Sequence, residues 1–162
     1  MLNDFVKEGG ALVVPAAAGI IPHIEVELKK AREAKIPVIY VDDSHSSDDT
    51  EFESWPRHAV EGTWGAEVVK ELAPFEGEHV VSKRRYSGFF GTRLDSLLRE
   101  LGVKIIILTG TATNICVYST ALDAFMRGYE VIVIRNCVAG LTKEDHDTAL
   151  RWMKEFLGAK II

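Results

Sequence analysis

In the stretch Gly110-Thr111-Ala112-Thr113-Asn114-Ile115-Cys116-Val117, a lone thiol follows the apolar run Lys104 to Thr109 and opens a segment of helical spacing that reaches Phe125. A cysteine in the first turn of a helix meets the positive end of the helix dipole and unpaired backbone N–H donors. Such surroundings favour thiolate and can hold the oxyanion formed when sulfur attacks a carbonyl. The same position also suits a buried cysteine acting as a small hydrophobe. Lys83 closes a second apolar run, and an ammonium beside a thiol lowers its pKa; standing alone, it reads as a solvated surface charge. A third group joins Asp42-Asp43-Ser44-His45 to Trp55-Pro56-Arg57-His58. Asp43, His45 and His58 are donors suited to zinc, iron or manganese, although two loop histidines can equally serve as hydrogen-bonding partners of the loop backbone.

The elements that must position these groups are legible in the hydrophobic pattern. Short β-branched runs predict strands over Ile36 to Val41, His79 to Ser82, Lys104 to Thr109, Glu130 to Ile134 and Ala159 to Ile162. They are mostly continuous, as in strands buried on both faces. Helical spacing is found over Ala17 to Ala34, Gly65 to Leu72, Phe90 to Leu101, Asn114 to Gly128 and Thr142 to Leu157, with Gly102 and Gly128 placed as caps. Strand and helix alternate, which predicts an α/β fold: three layers, α/β/α, around a mostly parallel, Rossmann-like sheet. Ligands in such sheets gather at the carboxyl ends of the strands, where Asp43, Lys83 and the turn before Cys116 all fall. The irregular segment from Asp42 to Trp64 is of a length that usually serves function.

A chain of 162 residues, 47% hydrophobic and 27% charged, fits one globular domain over 1–162. A net charge of -5 gives no basic field for nucleic acid, and no apolar stretch has membrane-spanning length. No basic, apolar leader opens the chain, and two cysteines, Cys116 and Cys137, do not make a disulfide framework, so a reducing cytoplasmic location is expected. The chain contains no glutamine and three asparagines, the lean of heat-adapted proteins.

Taken in order, Asn3-Asp4-Phe5, Trp55-Pro56-Arg57-His58, Gly62-Thr63-Trp64-Gly65-Ala66-Glu67, Lys83-Arg84-Arg85-Tyr86-Ser87-Gly88-Phe89 and Gly110 to Val117 resemble the isochorismatase-like cysteine hydrolases, and among them the nicotinamidases. The resemblance implies an Asp-Lys-Cys triad acting on a small amide, nicotinamide first, with Cys116 as nucleophile and Lys83 as the lysine. It implies a cis bond before Ala112, turning the N–H groups of Ala112 and Cys116 toward an oxyanion. The triad aspartate of the family would fall just before Met1, outside the sequence, and the first strand with it; Asp4 matches a loop-organising position instead. Asp43, His45 and His58 match metal ligands. The family's further ligand, a histidine, has no counterpart here, and Glu51 is the nearest candidate by spacing. Phe5 and Trp55 match the aromatic residues that flank a planar ring. No organic cofactor is implied, and a homo-oligomer acting on a small-molecule amide, without nucleic acid or membrane, is expected. A metal-free ureido or carbamoyl amidase, an isochorismatase-like hydrolase and a catalytically silent ligand-binding relative are the alternatives.

Overall fold

The computed structural model describes residues 1–162. Its strands are β1 (Ile39–Asp43), β2 (His79–Lys83), β3 (Ile105–Thr111), β4 (Glu130–Ala139) and β5 (Lys160–Ile161). The helices are α1 (Asn3–Val6), α2 (Ala17–Glu33), α3 (Leu94–Glu100), α4 (Tyr118–Met126) and α5 (Lys143–Leu157). Every strand pairing is parallel, as the alternation of elements predicts. The ladders form two sheets, β1-β2 and β3-β4-β5, so β1 and β3 each pair along one edge only.

Helices cover both faces. Val131 and Val133 of β4 pack with Leu94, Leu97 and Leu98 of α3, Ala121 and Ala124 of α4, and Leu150, Met153 and Leu157 of α5. Further along β4, Cys137 and Ala139 join Ile20, Ile21 and Ile24 of α2 in a second core. The change of face coincides with a bulge: Leu108 and Gly110 of β3 oppose Val133 and Val138 of β4, so β4 carries extra residues there.

Several boundaries differ from the sequence pattern. β1 begins at Ile39, three residues late, because Lys35 has a positive φ and Pro37 lacks an N–H to give a ladder. Gly65 to Leu72 is two short 3₁₀ turns, Trp64–Ala66 and Lys70–Leu72, in place of a helix. The backbone between them is taken by the N-terminal segment: Asn3 N–H donates to Glu67 O, and Val69 N–H donates to Met1 O. The expected helix from Phe90 starts only at Leu94, since Gly91 sits at φ +65° and Thr92 Oγ1 accepts from Leu94 N–H. Nor is β3 buried on both faces: Ile105 and Ile107 are each 49% exposed, in keeping with a strand paired on one edge. No helix is long and apolar enough to cross a membrane.

Candidate active site

The strand ends bring the thiol and the ammonium together. Parallel pairing sets Asp43 at the end of β1 against Lys83 at the end of β2. Lys83 Nζ makes an ion pair with Asp43 Oδ1, donates to Arg85 O at 3.1 Å, and lies 3.6 Å from Cys116 Sγ. Lys83 is 5% exposed, which removes the surface-charge reading. Burial by itself would lower its pKa, but Cys116 and Asp43 together outweigh that and raise it, so the ammonium is retained.

Cys116 sits in a wide π-type turn, Thr113–Val117, that leads directly into α4. The Thr111-Ala112 peptide bond is cis, as the resemblance implies. The strand end and turn are tied to the end of β4 and the connection after it: Thr111 Oγ1 donates to Ala139 O at 3.1 Å, and Asn114 Oδ1 accepts from Leu141 N–H at 3.3 Å. The expectation of a resting thiolate is not met. Burial pushes the Cys116 thiol up to about 11, and Lys83 and the Ala112 N–H offset only part of that rise. A dipole and one cation are outweighed by desolvation, which sequence spacing does not reveal.

The thiol opens into a narrow cleft lined by Phe5, Trp55, Tyr86 and Ile115 among others, with Asp43, Glu51 and His58 also on its wall. Phe5 and Trp55 are therefore both in the site. Tyr86, which the sequence offers only as part of a motif, closes one side by accepting a hydrogen bond from Trp55 Nε1 at 2.9 Å. Asp4 organises the loops behind this wall, accepting from Ala11 N–H at 2.9 Å and from Ala59 N–H at 2.8 Å. Gly65 is required beside it, because a Cβ there would collide with the Asp4 carboxylate.

Beside the cleft, donor atoms of His45, Glu51 and His58 all lie within 4.8 Å of one another. His58 Nδ1 donates to Pro56 O at 2.7 Å, since a carbonyl can only accept. His45 Nδ1 lies 3.1 Å from Asp49 Oδ2. The Glu51 N–H, above all, with His45 and Arg85 holds the Asp49 carboxyl down to about 2. An ionised Asp49 accepts the Nδ1 proton, so both histidines engage Nδ1 outside the cluster and turn Nε2 toward it. His45 Nε2 is buried without any partner. Orienting the ligand ring through its other nitrogen is how metal-binding histidines are held, and an orphaned buried acceptor fits a cation. Asp43 Oδ1 lies 4.0 Å from His45 Nε2 and is engaged by Lys83. Of the ligands expected from the sequence, the structure thus gathers His45 and His58 around Glu51, with Asp43 shared toward the lysine.

The isochorismatase domain matches residues 1–162. Pyrazinamidase of Pyrococcus horikoshii, solved in complex with zinc, superposes with a TM-score of 0.94 at 39% identity, covering 100% of this chain and 94% of that one. N-carbamoylsarcosine amidase from Thermoplasma acidophilum gives a TM-score of 0.90 at 36% identity, covering 99% of this chain and 90% of that one. Ureidoacrylate amidohydrolase RutB of Pantoea ananatis is 34% identical in an alignment that covers 84% of this chain and 65% of that longer protein.

Proposed function

The chain belongs to the isochorismatase domain family, and from that premise we propose that it hydrolyses the C–N bond of a small amide through Cys116, with nicotinamide the first candidate. One observation carries the reading: a buried lysine ammonium stands 3.6 Å from Cys116 Sγ at the floor of an aromatic cleft. Phe5 and Trp55 clasp a planar ring and bring its amide carbonyl to the sulfur. A general base takes the thiol proton. As the thiol proton leaves, Lys83 stabilises the thiolate, which forms a C–S bond to the carbonyl carbon. The N–H groups of Ala112 and Cys116 receive the charge that develops on oxygen. The C–N bond then breaks, the proton held by the base leaves with ammonia, and water cleaves the thioester to release the acid and restore the thiol.

A zinc, iron or manganese ion at His45, Glu51 and His58, with Asp43 adjacent, would supply a Lewis acid able to engage a substrate heteroatom. The histidines' part is to present Nε2, with each ring oriented through Nδ1 by Asp49 or the Pro56 carbonyl.

A ureido or carbamoyl amidase is the second reading, favoured by the likeness to ureidoacrylate amidohydrolase and N-carbamoylsarcosine amidase. Ammonia release from nicotinamide, pyrazinamide, ureidoacrylate and N-carbamoyl amino acids separates the two. Turnover of the heteroaromatic amides supports the first reading, and turnover confined to the ureido compounds replaces it with the second. No release from any of them, with Cys116 intact, leaves a silent ligand-binding relative.

A further inference from the structure

Thr113, between Ala112 and Cys116, is fully buried, and its hydroxyl has no role in the chemistry described above. A buried hydroxyl in a helical turn commonly bonds back to the backbone of the preceding turn. Here it lies 2.9 Å from Nδ1 of His146, in the first turn of α5 and 33 residues away. The histidine's seat is tight: a Cβ on Gly140 would come within 2.9 Å of His146 Cβ. Burial lowers the pKa of His146, and Arg135 and Lys143 act in the same direction against Asp147. The ring shares a hydrogen bond with the Thr113 hydroxyl through Nδ1 and also borders a separate opening beside His23, Arg135 and Lys143.

This contact is the third of three ties between the stretch Thr111 to Cys116 and the stretch from the end of β4 into α5, and the only one of them made by a side chain at both ends. The Thr111 and Asn114 ties use the backbone of Ala139 and Leu141. Thr113 opens the turn Thr113–Val117 that carries Cys116, so a turn that pivots at Thr113 re-aims the sulfur. We propose that His146 is a positioning residue for the Cys116 reaction, acting through the Thr113 hydroxyl to hold the turn that carries Cys116 and so keep the sulfur aimed into the cleft. The inference rests on Cys116 being the nucleophile. It assigns His146 no contact with substrate.

The test compares His146→Phe, which fills the site without a ring nitrogen, with His146→Asn, whose amide can replace Nδ1 in the bond as donor or acceptor. Thr113→Val breaks the bond from the other side. Two readouts are taken with folded protein: steady-state ammonia release, and the alkylation rate of Cys116 by iodoacetamide, which needs no substrate. His146→Phe and Thr113→Val should each lower kcat about tenfold with KM changed by less than about twofold, because misaiming of a few tenths of an ångström spoils attack more than binding. The double variant should be no slower than either single one, as expected of two ends of one bond. Alkylation should slow in the same variants, and His146→Asn should recover both rates. A lowered melting temperature with unchanged kcat and unchanged alkylation would make His146 merely structural and overturn the proposal. Should His146→Phe fail to fold, Thr113→Val, close to isosteric, carries the same comparison. Cys116→Ala separates the two readings: full turnover in that variant removes the nucleophile assignment itself. Its loss, with His146→Phe at the wild-type rate, removes only the role of His146.

Discussion

Cys116 is subject to two opposed influences, and their balance decides how the site works. Desolvation disfavours the thiolate, the adjacent ammonium favours it, and the thiol stands at about 11. A group whose pKa is raised this far is protonated at neutral pH, so attack must wait for a base to remove the proton, and unassisted alkylation of Cys116 should keep rising with pH toward that value. Lys83→Met removes the cation and should raise the thiol further, slowing alkylation at a fixed pH below 9 by roughly tenfold at least. A rate profile that does not move between wild type and variant would mean that the ammonium does not feel the sulfur. Cys116→Ala should abolish turnover and keep the fold. Cys137, also raised to about 11 by burial but enclosed in the core against α2, should be dispensable: Cys137→Ala should keep kcat while costing about 1 kcal/mol of stability. The reverse result for the two cysteines would exchange their roles. At this scale Cys116, Lys83 and the cis bond before Ala112 could be read from spacing and resemblance. The protonation state could not, because burial depends on packing that no local pattern carries. Tyr86 and His146 were equally hidden, since what marks them is a partner many residues away.

The loops between elements were the least legible part of the chain, for a related reason. Gly65 to Leu72 has helical spacing, yet its backbone groups pair with Met1 and Asn3, so a long-range partner wins over a local preference. The strands and the long helices α2, α4 and α5 were found near their expected places because their apolar faces meet a core, which a periodic pattern does report. What organises the loops is Asp4, whose carboxylate bridges the backbone at Ala11 and Ala59 and fills the space left by Gly65. Gly65→Ala should force that carboxylate out of place and strand two N–H donors, costing about 2–4 kcal/mol. For a chain of this size the melting temperature should fall by roughly 5–15 °C. Gly62, where a Cβ would meet nothing but the backbone has φ +77°, should show a smaller loss on the same change. Equal melting temperatures for Gly65→Ala and wild type would show that Asp4 can move at no cost and does not anchor the loops.

At the scale of the molecule, the segment between β1 and β2 is what joins function to fold. It leaves β1 at Asp43, returns through the pairing of His45 with Val60, and carries His45, Glu51 and His58 between those points. A cation held by these three side chains would lock that segment against the end of β1 and bind the folded chain alone, because the unfolded chain does not hold the three together. Any such ligand stabilises by mass action, about 2.7 kcal/mol at a hundred times its dissociation constant. Zinc, iron(II) or manganese(II) added to chelator-treated protein should therefore raise the melting temperature by roughly 5–11 °C. His45→Ala combined with His58→Ala should abolish the rise, and Glu51→Gln should reduce it. The same double change should weaken amide binding more than it slows attack by Cys116 on a small activated ester, which has no ring to anchor. Elemental analysis of protein purified without chelator supplies the direct count. A metal content far below one per chain, together with an unmoved melting curve in all three metals, would leave His45 Nε2 a buried acceptor without a cation and return the site to a metal-free amidase.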